Sequence, residues 1–452
     1  MPPAERRLWS VALPFALGVA LLLATWDAGA AVTLAFAVGA SVAARARMWA
    51  LAACATVWTA ALLAVRVLPG PYDSWAGRGV LPVLAGYVTV FLLAWAAGRR
   101  LVERRDGGRP PPDLPRPKPS RPELSWPSER RLRAYLFVLL GVAVVTAAVR
   151  FRGTLPPLLA DNPDAARQVL REQSNLVVGL LSEAWTLGMA VSLLRALSGR
   201  RPALPLYYAL TAVFTVGAAL GASKNSVLVG IAPALITALS VRRTRGRAAA
   251  FLAARTPVVL LIGAAALGAA VFLGGQRTMA GTGTFETEFR ARYGSNALTS
   301  SAGSLDLSLS SSTETFGRVW SQRAHLEPRH GTYSLTFLGS RVEPIVGKAD
   351  LYGLTAQLSQ PYLMNTATFV AIPLLDWGPL GAAVFLAVLG LAVGGTERWF
   401  EFSAAPAGQL ARAFVVYFAL FGVYELYPLI YPTWLSLVPG LVILHRLGRT
   451  TT

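Results

Sequence analysis

Runs of roughly 20 apolar residues, about a dozen of them, constrain this chain more than any other feature, because a helix of that length crosses a bilayer core about 30 Å thick. They fall near residues 8–25, 28–44, 48–67, 79–97, 133–150, 175–194, 203–222, 225–241, 256–274, 369–395, 410–427 and 428–446. Within hydrocarbon every backbone amide must be satisfied inside its own segment, so such runs can span only as helices. With 54% hydrophobic residues, 14% charged residues and a mean hydropathy of +0.49, a soluble globule is excluded. The expected fold is all-α: a polytopic membrane protein of about twelve transmembrane helices, with one large extracytoplasmic loop between the ninth and the tenth. The first run follows Glu5-Arg6-Arg7 but precedes no small-residue cleavage site, and a second run follows at once, so it reads as a retained helix.

Lys and Arg set the orientation, since short loops that carry them stay on the cytoplasmic side. An inside N-terminus puts about 27 of the 42 basic residues on the cytoplasmic face, including Arg6, Arg7, Arg45, Arg47, the Arg99 to Arg133 segment, Arg195, Arg242, Arg243, Arg398, Arg412, Arg446 and Arg449. The short outer loops keep about seven, and the rest sit in the long loop, which translocates regardless of charge. Both termini are therefore expected in the cytoplasm, and the protein in the cell membrane. Five segments follow: a four-helix part over 1–98, a Pro/Arg-rich cytoplasmic linker over 99–132, helices five to nine over 133–275, the large loop over 276–363, and the C-terminal helices over 364–452. The linker, with Arg109-Pro110-Pro111-Pro112 and Arg116-Pro117-Lys118-Pro119, is too rich in proline and charge to fold alone. No internal repeat of the kind that marks many transporters is present.

The net charge of +19 points to anionic lipid headgroups, not to nucleic acid, because the basic clusters flank helix ends. One cysteine, Cys54, permits neither an internal disulfide nor a cysteine-based metal site.

Chemistry is expected on the outer side, where four elements carry cations at membrane-surface depth. The first is Arg150-Phe151-Arg152-Gly153-Thr154-Leu155-Pro156-Pro157, and the second is the turn Gly221-Ala222-Ser223-Lys224-Asn225. The third is Gly274-Gly275-Gln276-Arg277, and the fourth is the loop itself, with Arg290 and Arg292 among its arginines. Insertion disfavours cations there, and a lipid diphosphate offers a reason for them. Arginine forks bind phosphate oxygens through paired, charge-assisted hydrogen bonds, and the same groups stabilise a leaving diphosphate without a metal or any other cofactor. The plainer reading is that Arg152, Lys224 and Arg277 only snorkel to the headgroups. His325 and His330 lie in Arg323-Ala324-His325-Leu326-Glu327-Pro328-Arg329-His330-Gly331-Thr332-Tyr333. A histidine can take a proton near neutral pH, and His330, beside the permissive Gly331, is the better candidate base. Carboxylates inside spans are functional candidates by default: Glu183 in the sixth run, Glu425 in the eleventh, and Asp376 in Ile372-Pro373-Leu374-Leu375-Asp376-Trp377-Gly378-Pro379. That last stretch predicts a broken entry into the tenth helix, whose start Asp376 could cap.

The stretch Tyr362-Leu363-Met364-Asn365-Thr366-Ala367-Thr368-Phe369, followed by Leu375-Asp376-Trp377-Gly378-Pro379-Leu380-Gly381, resembles the N-T-x-x-F…D-[FW]-G-x-x-G motif of the O-antigen polymerases, also called oligosaccharide repeat unit polymerases. An Arg-Gly-x-x-Pro-type segment, the turn Gly221 to Lys224 and the block Gly331 to Phe337 agree with it, so the likeness covers roughly residues 130–446. It implies a metal-independent glycosyltransferase at the outer face of the cytoplasmic membrane. Such an enzyme moves a growing glycan from undecaprenyl pyrophosphate onto a sugar hydroxyl of a lipid-linked repeat unit. Its partners would be those lipid-linked oligosaccharides, membrane lipids, a flippase and a chain-length regulator. By position, Arg152, Lys224 and Arg277 would hold pyrophosphate, with Asn365 and Asp376 shaping the site. The chain departs from the pattern at Lys224, where the family tends to have arginine. The related ligases have a histidine near the position of Met364 and Asn365, which is missing here.

An O-antigen-type ligase shares the donor and differs only in acceptor. A flippase or other transporter for lipid-linked glycans would also have many spans, but the single long outer loop counts against it. A glycosyltransferase using polyprenyl-phosphate sugars would be expected to carry acidic residues in a sizeable first outer loop, here little more than Trp26-Asp27-Ala28.

Overall fold

The computed structural model describes residues 28–45, 48–67, 76–105, 124–160, 176–198, 204–221, 224–243, 284–294, 296–326, 331–333, 368–423 and 433–449, together with residues 166, 169–170, 268, 354 and 357. Among them every regular element is helical and none is a strand. The helices are α1 (Ala28–Arg45), α2 (Trp49–Val67), α3 (Ala76–Arg105), α4 (Glu129–Arg150), α5 (Leu176–Ser182), α6 (Ala184–Ser198), α7 (Leu204–Ala219), α8 (Lys224–Arg243), α9 (Thr284–Tyr293), α10 (Ala297–Gln322), α11 (Ala371–Phe400), α12 (Pro406–Phe421) and α13 (Thr433–Arg449). Four helical stretches are long and apolar enough to cross a membrane: Val80–Arg105, Glu129–Arg150, Val177–Ser198 and Ala371–Phe400. The expected spans at 8–25 and 256–274 lie outside the described residues, as does most of the proline-rich linker.

The chain divides into two compact units. One comprises Met1–Arg100, Asp306–Gly395 and Phe418–Ile430, and the other Leu101–Leu305, Thr396–Tyr417 and Tyr431–Thr452.

In the first unit, α3 and α11 approach through glycine. A Cβ built on Gly98, Gly390 or Gly394 would collide with backbone of the facing helix, and Gly390 and Gly394 form the small-xxx-small pattern that lets membrane helices pack closely. Between hydrocarbon-solvated helices, this packing supplies attraction that apolar burial cannot. Beside the seam, Phe369 stacks edge-on against Phe91, ring centres 5.1 Å apart, and tilts against Trp58 at 5.5 Å. Away from the seam α11 exposes Leu380, Val384 and Val388 at helical spacing, as a helix bordered by hydrocarbon requires. The predicted break is present: Gly378 has φ 68° and ψ −174°, a conformation that favours glycine, and Pro379 opens the continuing helix.

In the second unit, contacts at the two ends of α4 order the bundle. Near its start, Glu129 Oε2 accepts from the Tyr207 hydroxyl at 2.5 Å, and Glu129 Oε1 pairs with Arg195. The Ser125 amide donates to Ala404 O at 2.9 Å. Beyond its far end, the Leu158 amide donates to Leu220 O at 3.1 Å. Helix α7 therefore runs parallel to α4, and α6, whose C-terminal Arg195 reaches the start of α4, runs antiparallel to both. Helix α13 packs alongside: the Tyr135 hydroxyl donates to Gly440 O at 2.9 Å, and Ser436 Oγ donates to Leu180 O at 2.6 Å. Phe137, Val138, Val144, Val145 and Val149 leave an apolar face of α4 exposed.

The long polar segment, expected as one outer loop, contains two helices among its described residues. Gly294 ends α9 at φ 77°, its amide donating to Arg290 O at 2.9 Å. Asn296 then caps α10, its Oδ1 accepting from the Thr299 amide at 2.8 Å. Gly303 admits the rings of Phe289 and Tyr293 of α9 against the first turns of α10.

Candidate functional site

The described residues among those expected at a site fall into two groups, one in each unit.

In the second unit, α4 stops because Gly153 takes φ 78° and Pro156 and Pro157 cannot continue a helix. The chain turns back across the bundle end, where the bond from Leu158 to Leu220 ties it to the turn that leads into α8. The first two cation-bearing elements of the sequence are thus held at one end of this unit. Arg152 is exposed there and has no acidic partner among the described residues. Lys224 is the first residue of α8, in the turn that follows Leu220 and Gly221, and its side chain lies outside the described residues. Arg290 is half-buried on α9 and Arg292 exposed, its guanidinium 5.9 Å from the Tyr293 ring. Arg277 lies outside the described residues.

Glu183 interrupts the sixth span. It separates α5 from α6, its amide bonding back three residues to Leu180 O at 3.3 Å, the tighter repeat of a 3₁₀ turn. Its Oε2 accepts from the Thr186 hydroxyl at 2.8 Å. A carboxylate at a helix break, about 10 Å along the axis from Leu176 at 1.5 Å per residue, is placed where a span can tolerate one.

In the first unit, Asp376 is fully buried on the short N-terminal piece of α11, two residues before the break. Its Oδ1 accepts from the backbone amide of Tyr333 at 2.9 Å, across 43 residues of sequence. The carboxylate that the sequence offered as a helix cap thus makes a long-range bond. Gly331, with φ 96°, lets the turn Gly331–Tyr333 reach the helix, and both Thr332 and Tyr333 are buried. Nearby, the Tyr87 hydroxyl donates to Pro379 O at 3.0 Å and its ring meets Trp320 edge-on at 6.2 Å. His330 and Asn365 lie outside the described residues. His325 is exposed at the end of the 3₁₀ segment Arg323–His325, which Arg323 closes by lying 4.0 Å over the Trp320 ring.

One feature the sequence reading did not single out is the middle of α10. Ser311, Ser312, Thr313, Glu314 and Thr315 are each at most 3% exposed. Glu314 pairs with Arg318 at 3.2 Å, while the hydroxyls of Thr313, Thr315 and Thr368 find no hydrogen-bond partner among the described residues. A buried hydroxyl left unpaired costs about 1–3 kcal/mol, so such groups mark places where water or a ligand completes the bonding. The signal in the sequence was the Asn296 cap, with Phe316, Val319 and Trp320 at helical spacing behind the serines.

The chain matches no family model, no curated protein and no solved structure.

Proposed function

We propose that the protein polymerises lipid-linked oligosaccharide repeat units at the outer face of the cytoplasmic membrane, with about twelve membrane crossings and both termini inside. The growing glycan leaves an undecaprenyl-pyrophosphate donor. A hydroxyl oxygen of the acceptor sugar bonds to the anomeric carbon, the bond from that carbon to the diphosphate breaks, and the electron pair departs with the diphosphate. The hydroxyl proton passes to a base, for which His330, Glu183 and Asp376 are the candidates drawn from the sequence.

The observation that carries this reading is Arg152. It is an exposed guanidinium without an acidic partner among the described residues, fixed by the Leu158–Leu220 bond at the bundle end where α8 begins with Lys224. A cation in that setting is available to phosphate, and its fork geometry suits two diphosphate oxygens.

The test is transfer in membranes supplied with undecaprenyl-pyrophosphate-linked repeat units. Arg152→Ala is expected to lower polymer yield by roughly 10- to 100-fold, the loss of a charge-assisted contact to the leaving group. Unchanged ladders for both Arg152→Ala and Arg277→Ala would reject the reading. A product of a single transfer onto a different acceptor would turn it toward a ligase.

A further inference from the structure

We infer that Asp376 is a positioning residue that latches the Gly331–Tyr333 turn to the broken start of α11. Three observations combine. The carboxylate is fully buried, and one of its oxygens is occupied by the Tyr333 amide at 2.9 Å. The turn that it receives is itself buried, with Thr332 at 5% and Tyr333 at 6% exposure, and takes a positive φ at Gly331. The helix piece that carries Asp376 ends two residues later at Gly378, whose φ of 68° frees it from the continuing helix.

An ionised or neutral carboxyl can accept from a backbone N–H, and such a bond is stronger in a buried, low-dielectric setting than in water. The latch therefore fixes the turn against one short helical piece, and its geometry does not require the carboxyl to exchange a proton. His330 directly precedes this turn in the sequence. The consequence for catalysis, that Asp376 orders the turn and is not the base, rests on the proposed glycan transfer; the latch itself does not.

An asparagine offers the same acceptor oxygen without acid–base capacity, whereas an alanine offers none. Thr332→Cys is introduced into full-length protein carrying Cys54→Ser, and its labelling by N-ethylmaleimide is followed in membranes. D376A is expected to speed labelling about 10-fold or more through opening of the turn, and D376N to stay within about three-fold of the parent. Glycan transfer should follow the same order, lost in D376A and largely recovered in D376N. Equal labelling of parent and D376A, or D376N labelling as fast as D376A, overturns the latch. Should D376A not accumulate, the parent and D376N decide alone: a protected Thr332→Cys with abolished transfer in D376N makes the carboxyl a participant in chemistry and overturns the positional role. If the parent transfers no glycan while the labelling order holds, the proposed function falls and the latch stands.

Discussion

The two ends of the second unit differ in which arginines they draw in: the end at the start of α4 holds largely buried, paired arginines beside exposed ones such as Arg130, which makes no ion pair among the described residues, whereas the other end exposes Arg152. Around the start of α4, cations drawn into the protein are matched by carboxylates: Arg195 by Glu129, Arg398 by Glu103 at 3.4 Å and Glu401 at 2.5 Å, and Arg412 by Glu397 at 3.0 Å. At the other end Arg152 is exposed and has no such match among the described residues. Charges neutralised internally hold helices together, whereas a charge left without a partner remains available to something outside the chain.

The most damaging way to probe the contrast is at the paired end. Glu397 is 1% exposed, and Glu397→Ala leaves the Arg412 guanidinium buried without its anion. A loss of about 3–5 kcal/mol is expected, read as a large drop in the thermal midpoint of detergent-solubilised protein. A midpoint close to the parent would show that this end is not held by its ion pairs.

Arg152→Ala should do the reverse, lowering polymer yield while leaving the midpoint within about 0.5 kcal/mol of the parent. Arg152→Lys sharpens the point, since it keeps the charge but loses the fork; intermediate transfer is expected. A stability loss in Arg152→Ala comparable to that of Glu397→Ala would erase the distinction between the ends.

A smaller effect is expected at Glu129. Its side chain is 40% exposed, so Glu129→Gln, which keeps an acceptor for Tyr207, should cost about 1 kcal/mol. Raising the salt concentration should narrow the gap from the parent, because screening already weakens the exposed pair. Smallest of all, Tyr135→Phe removes the bond to Gly440 O inside the bundle and should cost about 0.6 kcal/mol, the usual size of such bonds between membrane helices.

The sequence made the helical architecture legible where one-dimensional signals suffice. The run over 133–150 became α4, and Pro373, Gly378 and Pro379 announced the break in α11, because a proline's missing amide and a glycine's access to positive φ act locally. Glu183 was visible as a carboxylate in an apolar run, but neither the helix break there nor the bond from Thr186 was. The polar segment was harder to read. It was read only as a long polar outer loop, yet α10 buries Ser311 through Thr315, since helix formation there depends on a cap and on Phe316, Val319 and Trp320 finding a surface.

Local chemistry thus dictated that this chain forms apolar helices, where several of them begin or break, and which residues carry charge. Tertiary structure alone decided that Asp376 meets the amide of Tyr333, that Glu129 gathers Arg195 and Tyr207, and that Arg152 stands without a carboxylate among the described residues. The reason is physical: helix propensity and hydrophobic length are properties of neighbours in sequence, whereas a hydrogen bond across 43 residues exists only after packing has set two backbones at the right distance.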